Sequence, residues 1–372
     1  MIKNIPMSSA DLDESDVQAV LEVVRSGRLA LGPKTAEFER AMADYVGVRH
    51  AVAVSSGTAA LHLIVKALGI GPKDEVLVPS FTFAASANAL LYEGAKPVFV
   101  DIEPDTYNLD VSDLERKINT RTKAIMAVDV FGHPAEWDEI LRVADKHGLK
   151  VIDDSCEALG AEYKGRKVGQ FGDAAAFAFY PNKQMTTGEG GIVVTDDEKI
   201  AGLCRSLCNQ GRGEMGAWLE HERLGYNYRI DEMSSALGVS QLRRIEDFLK
   251  KREQVARSYG DRLEKFDWVR TQVVKPHARM SWFVYVVTLA EGLSRDLVMR
   301  SMEERGVPVR GYFSPVHLQP YVRRRFGFGE GELPVTEAIA RRTIALPFHN
   351  NLTASQVEQV VTTLADVVRR FS

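Results

Sequence analysis

Cysteine is scarce: Cys156, Cys204 and Cys208 are the only three in 372 residues. Three cannot all pair within one chain, and none stands in a C-x-x-C arrangement. A disulfide framework is excluded, and a reducing, cytoplasmic setting is expected. Cys204 and Cys208 are spaced to share a helix face, but no His or Cys cluster accompanies them. They read as core residues, and no metal site is expected. Long apolar runs are also missing. No segment approaches the roughly 20 apolar residues of a membrane span. The opening stretch MIKNIPMSSADLDESD holds no apolar block of signal-peptide length. Nor is there a surplus of one charge, with 47 Lys+Arg against 51 Asp+Glu and a formal net charge of -4. Nucleic-acid binding would then need a local basic cluster. The best candidate, Arg323-Arg324-Arg325, precedes Phe326-Gly327-Phe328-Gly329 and reads as a solvated loop or helix end.

What is present is the composition of a globular protein, too long for one simple core and suited to a large domain with a smaller one. Helical patterns open the chain over residues 11–26 and 35–45. Short β-branched runs then alternate with helical spacing. Strands are expected at 51–54, 75–78, 97–100, 124–128 and 150–152, with helices at 59–68, 84–93, 111–117 and 137–146. Further strands are expected at 174–179 and 191–195. This alternation argues for an α/β fold whose central sheet is mainly parallel. From residue 231 the pattern changes. Residues 233–263 read as one long helix or two in line, before a strand at 282–289, a helix at 295–305, a short strand at 308–310 and a helix at 354–371. The expected division is a large domain, 1–250, and a smaller C-terminal α/β domain, 251–372.

Four constellations carry chemistry, each at the end of an expected strand. Lys183 lies in Phe179-Tyr180-Pro181-Asn182-Lys183-Gln184, between an apolar run and the Gly- and Thr-rich segment 186–191. Removing an amine from water favours its neutral, nucleophilic form, which attacks carbonyls. Val151-Ile152-Asp153-Asp154 ends a strand in two acids at the sheet edge where α/β folds bind ligands. A buried carboxylate there could keep a pyridinium nitrogen protonated. Asp154 is the choice, because strand alternation turns Asp153 to the other face. Ser55-Ser56-Gly57-Thr58 joins a strand to a helix, and the free N–H groups of a helix start make an anion site. No P-loop lysine follows, so nucleotide hydrolysis is a poor reading. Pro79-Ser80-Phe81-Thr82-Phe83 again opens a strand into a loop at the same edge, where an aromatic could stack on a flat ring. Singly, each motif also reads as a surface lysine, a cap or core packing; their order at one sheet edge is the signal.

With these motifs in place, the chain resembles the DegT/StrS family of sugar aminotransferases. The resemblance runs through SSGTAALHL, PSFTFAASANALLYEGAKPVFVDIEPDTYNLD, VIDDSCEALGAEYKG, FYPNKQMTTGEGG, LGYNYRIDEMSSALGVSQL, YFSPVHLQPY and LPVTE. It implies an aspartate-aminotransferase-like fold (fold type I of pyridoxal phosphate enzymes). The cofactor it implies is pyridoxal 5'-phosphate, cycling through pyridoxamine 5'-phosphate. By the same resemblance Lys183 matches the Schiff-base lysine and Asp154 the acid on the pyridine nitrogen. Glu157 falls near the phenolic oxygen, and Phe83 matches the stacking aromatic. Ser56, Gly57 and Thr58 match the phosphate loop. Asn227 matches an asparagine that reaches the phosphate of the neighbouring subunit, implying a homodimer with shared active sites. Tyr312 and His317 lie on a late loop that approaches the sugar in relatives, although a buried, satisfied His317 is an equal alternative.

The chain departs from many relatives in carrying Ala178 where they have a phosphate-binding Ser. Some members carry His in place of the lysine and act as dehydratases, so Lys183 favours transamination. The implied reaction moves an amino group from glutamate to a keto sugar linked to a nucleotide, for amino-sugar, polysaccharide or antibiotic biosynthesis. Alternatives are a cyclic-polyol ketone acceptor, a non-catalytic pyridoxal phosphate-binding regulator, or a lyase or desulfurase. No nucleic-acid or membrane partner is expected.

Overall fold

The computed structural model describes residues 5–213 and 220–371. The first four residues of the stretch read for a targeting signal lie outside the described residues. α1 (Glu14–Ser26) starts at Asp13, whose carboxylate accepts from Ser15 and Asp16 N–H while Asp16 reaches back, a capping box. It stops at Gly27, which takes the left-handed conformation with φ 69°. α2 (Pro33–Val46) has proline in its first turn.

Strand and helix then alternate: β1 (His50–Val54), α3 (Gly57–Ala67), β2 (Glu75–Pro79), α4 (Ala84–Tyr92), β3 (Lys96–Val100), α5 (Val111–Arg116), β4 (Thr122–Val128), α6 (Trp137–His147) and β5 (Lys150–Asp154). Two short strands, β6 (Glu162–Tyr163) and β7 (Arg166–Lys167), precede β8 (Ala174–Ala178), β9 (Gly191–Thr195) and α7 (Glu198–Cys208). One seven-stranded sheet results, in the order β1-β9-β8-β5-β4-β2-β3. β8, β5, β4, β2 and β3 run parallel, and β9 is antiparallel to both its neighbours. Helices bury both faces, which is why the strands are nearly continuous in apolar residues. In β1, Val52 and Val54 enter one core while Ala51 and Ala53 enter the other.

The stretch expected as one helix or two is two, α8 (Glu232–Leu242) and α9 (Ile245–Leu263), parted at Arg243-Arg244. The C-terminal part adds β10 (Val269–Thr271), β11 (Ala278–Arg279), β12 (Tyr285–Leu289), α10 (Arg295–Glu304), α11 (Pro320–Phe326), α12 (Pro334–Ala340), β13 (Thr343–Leu346) and α13 (Ala354–Val368). β10, β12 and β13 form an antiparallel sheet with its own core of Val287, Val298, Met302 and Leu364. The expected division at 250/251 falls inside α9. The first half of that helix (Ile245, Phe248, Leu249) enters the core that holds Phe38, and the second half (Val255, Tyr259, Leu263) enters the C-terminal core. Ile5 joins that core too, so the start of the chain straps the two parts together. Several strand expectations change, and the short strands β6, β7, β10 and β11 were not expected. Residues 308–310 make only a single bridge, Arg310 to Ala345, and β13 was missed. Cys204 and Cys208 are buried and unpaired, as expected of core residues. Among the described residues no helix is long and apolar enough to cross a membrane.

Candidate active site

A cavity of about 470 Å³ opens where β4, β5 and β8 end and α3 and α4 begin. Ser56, Gly57, Thr58, Phe83, Asp154, Glu157, Lys183 and Tyr312 all line it. A second groove of about 520 Å³, beside Asp173 and Asp196, holds none of the residues singled out in the sequence.

Lys183 sits in the long connection from β8 to β9, in a turn closed by its N–H donating to Tyr180 O at 2.9 Å. Its ammonium lies 3.7 Å from Glu157 Oε1 and 3.8 Å from the centre of the Phe283 ring. Glu157 is buried, and its Oε2 accepts from Phe131 N–H at 3.0 Å. Burial pushes the Glu157 carboxyl up, against the pull of Lys183.

Asp154 ends β5, buried but facing the cavity. Its Oδ2 accepts from Ser86 Oγ at 2.6 Å and its Oδ1 from Cys156 N–H at 3.2 Å. Burial raises its carboxyl as well, with the Ser86 hydroxyl opposing. Asp153 faces away, as the alternation requires: its Oδ2 accepts from Gly169 N–H at 2.8 Å. Ser155 Oγ lies 2.6 Å from Asp153 Oδ1 and 2.7 Å from Asp129 Oδ2. A hydroxyl has one proton to donate, so two ionised carboxylates cannot both be satisfied by it. Burial drives the proton affinity of both acids upward, which favours a proton shared between them.

At the start of α3, Ser56 is the N-cap and accepts from Ala59 N–H. The N–H groups of Gly57 and Thr58 make no hydrogen bond among the described residues. They leave two unpaired donors at the positive end of an eleven-residue helix, beside the cavity. Glycine is required here by space. A Cβ on Gly57 would lie 2.6 Å from Ala178 Cβ, and one on Gly191 would lie 2.4 Å from the Ser56 carbonyl carbon. This cradle fits the phosphate of a phosphorylated ligand. The acid at Asp154 fits a basic ring nitrogen, and the amine of Lys183 fits an aldehyde. Phe83 caps α4 at the rim and is 64% exposed, free to cover a ring from the solvent side.

Two sequence-derived residues are not in this cavity. His317 is a correction: it is fully buried, with Nδ1 2.7 Å from Ser80 Oγ and Nε2 3.3 Å from Glu337 Oε1. Its short helical turn is drawn beneath the end of β2, so its ring ties loops together and is absent from the cavity wall. Asn227 is exposed outside the cavity, between Tyr226 and Tyr228, whose rings stack at 4.9 Å. Sequence reasoning missed Phe283, read only as part of a strand, and Ser86, which lay within a quoted block. It also missed Arg252, whose Nη2 donates to Lys183 O at 2.7 Å, hidden in the charged run Lys250-Lys251-Arg252-Glu253. The available signal for Arg252 was its position on the apolar stripe of α9, in step with Phe248, Leu249, Val255, Ala256 and Tyr259.

A lysine, a buried acid and an anion-ready helix start on one edge of this sheet define the class: a pyridoxal phosphate-dependent transaminase of the aspartate-aminotransferase-like fold. The chain belongs to the DegT/DnrJ/EryC1/StrS aminotransferase family, whose model matches residues 10–365. It is 40% identical over 375 residues to a GDP-perosamine synthase of Caulobacter vibrioides, covering 99% of each chain. Helicobacter pylori PseC, an aminotransferase of pseudoaminic acid biosynthesis, superposes with a TM-score of 0.94 at 31% identity, covering 99% of this chain and 100% of that one. A sugar aminotransferase of Streptococcus pneumoniae, solved in pyridoxal and pyridoxamine phosphate forms, gives a TM-score of 0.94 at 29% identity, covering 99% of this chain and 100% of that one.

Proposed function

We propose that this transaminase moves an amino group from glutamate to the ketone of a nucleotide-linked sugar, a 4-keto or 3-keto 6-deoxysugar. The observation that carries the reading is the Lys183 amine, held between Glu157 and Phe283 in the one cavity that also contains Asp154 and the unpaired N–H groups of α3. The sugar in the names of its relatives supports the acceptor class.

Bound pyridoxal phosphate supplies an aldehyde that forms a Schiff base with amines and a ring that withdraws electrons from the substrate carbon. Everything else falls to the chain. Gly57 and Thr58 N–H groups hold the phosphate, with Ser56 beside them. Asp154, fixed by Ser86 and Cys156, keeps a proton at the ring nitrogen. Glu157 would stand by the phenolic oxygen, and Phe83 would screen one ring face from water. Lys183 Nζ would hold the cofactor at rest and, when free, would take and return the proton at the substrate carbon. Tyr312, on the cavity wall, orients the sugar. Binding energy from the distant nucleotide then serves to place the ketone.

We assign the reaction to the cytoplasm, which three unpaired cysteines support. The working unit is a homodimer in which Asn227 of one protomer reaches the partner's phosphate. Supporting this are the exposure of Phe83 and Tyr180, 64% and 51%, at the cavity rim and the placement of Asn227 outside its own cavity.

The test is a panel of nucleotide keto sugars incubated with glutamate, reading 2-oxoglutarate. Turnover with none of them, by enzyme carrying its cofactor, overturns the acceptor class. A borohydride-stable adduct in Lys183→Ala would remove the lysine assignment. Mixing Lys183→Ala with Asn227→Ala subunits restores one intact site per mixed dimer, about a quarter of wild-type activity in a random mixture. No gain over the separate variants refutes the shared site.

A further inference from the structure

α9 carries an arginine where its apolar stripe calls for a hydrophobic residue. Arg252 is 2% exposed, and no carboxylate pairs with it among the described residues. An unpaired buried guanidinium is costly, so its hydrogen bonds must be what retains it. Those bonds all go to backbone carbonyls. Nη1 donates to Trp282 O at 3.0 Å and Phe283 O at 3.1 Å; Nη2 donates to Lys183 O at 2.7 Å and reaches Asn182 O at 3.5 Å.

The two sides of this fork grip two segments that meet again at the cavity. The Phe283 ring is the one whose centre lies 3.8 Å from Lys183 Nζ. Lys183 belongs to the connection between β8 and β9, whereas Phe283 leads into β12 of the C-terminal sheet. The guanidinium is planar, with its donors in a fixed geometry, so one group sets the spacing of both backbones. Trp282 between them has φ 51°, a left-handed value costly for a bulky residue and kept only where surroundings enforce it. The enforcement is visible. Ser281 N–H donates to Gly132 O and Phe283 N–H to Phe131 O, each at 3.0 Å, while Arg252 holds the Trp282 carbonyl.

We propose that Arg252 is a positioning residue for the transamination site: its guanidinium fixes the Lys183 backbone against Trp282-Phe283, so that the Phe283 ring face covers the Lys183 amine. Arg252 reaches the chemistry only through that pair. The inference rests on the reading of Lys183 as the cofactor lysine.

The test uses cofactor-free full-length wild type, R252Q, R252K, F283L and the double variant R252Q/F283L. Each is mixed with pyridoxal phosphate. The growth of the visible band gives the attachment rate, and borohydride reduction with peptide mapping locates the adduct. Wild type is expected to attach at Lys183. R252Q and F283L should each attach at least about tenfold more slowly, since a displaced reacting group costs up to about 100-fold. R252K should fall between R252Q and wild type. The double variant should be no more than about twofold slower than the slower single variant, because both changes remove one arrangement. Wild-type rates in folded R252Q overturn the proposal, and so do losses that simply multiply in the double variant. If R252Q does not fold, F283L decides, because it keeps every carbonyl that Arg252 grips; a wild-type rate there overturns the proposal. An adduct away from Lys183 in wild type is a different failure, that of the cofactor-lysine reading itself.

Discussion

Asp153 and Asp154 are neighbours at the end of β5, both buried, yet they face opposite worlds. Asp154 looks into a cavity of about 470 Å³ with one hydroxyl and one backbone N–H upon it. That leaves it with lone pairs free for a ligand. Asp153 looks into a closed network. Gly169 N–H and Ser155 fill it, and Asp129, across the Ser155 hydroxyl, is filled in turn by Ala135 N–H and Trp137 Nε1–H. Burial raises all of these carboxyls, so a displaced proton affinity does not by itself mark the functional acid. What separates them is whether the remaining bonding capacity points at open space.

The largest effect is expected from Asp154→Asn. The amide oxygen can still accept from Ser86 or Cys156, so the fold should survive, while the charge that holds a proton at the ring nitrogen is gone. The glutamate half-reaction, followed by the change in cofactor absorbance, should slow by about 100-fold or more. Asp129→Asn, on the closed side, should leave that rate within about threefold. Equal losses in the two variants would erase the distinction between the faces. A smaller effect is expected from Ser86→Ala, which removes the hydroxyl 2.6 Å from Asp154 Oδ2. A lost hydrogen bond to a charged group corresponds to about tenfold in the same rate. An unchanged rate would mean that Asp154 needs no such support.

The contrast also explains what the sequence could disclose. Strand ends are legible, because an apolar run followed by Asp-Asp or Ser-Ser-Gly-Thr carries both its direction and its chemistry. Alternation even separates Asp154 from Asp153. Loops lack such a ruler. His317 has the side chain of a catalytic residue, but only the path of the chain beneath Ser80 decides that its ring is enclosed. β13 was missed because Thr343–Leu346, between an arginine pair and a proline, has no long helical pattern leading directly into or out of it that would mark it as part of the alternation. Arg252 failed for the opposite reason: helical periodicity did mark it, but a charged residue on an apolar stripe is read first as surface.

On the closed side the expected effects fall on stability. Ser155→Ala leaves Asp129 Oδ2 and Asp153 Oδ1 without the hydroxyl between them. It should cost roughly 1–3 kcal/mol of unfolding free energy, read from urea midpoints with cofactor present. A variant as stable as wild type would mean that the two acids bond directly and that the serine is incidental.

The finest test is the pH dependence of that network. Asp129 is pushed by burial up to about 6 from an ordinary 3.8, in concert with Asp153. A carboxyl whose affinity for protons is raised by folding binds more protons in the folded state between those values. Its stabilising contribution is therefore complete below about pH 4 and is lost as the pH rises through about 6. Asparagine at position 129 mimics the protonated acid. Its oxygen can accept from Ala135 N–H and Trp137 Nε1–H, its amide can donate to Ser155 Oγ, and Ser155 is then free to donate to Asp153. The stability difference between Asp129→Asn and wild type should therefore widen in the variant's favour by roughly 1–3 kcal/mol from about pH 4 to about pH 7. Parallel stability profiles for the two proteins would show that no proton is held between Asp129 and Asp153. The closed face of β5 would then differ from the open one in packing alone.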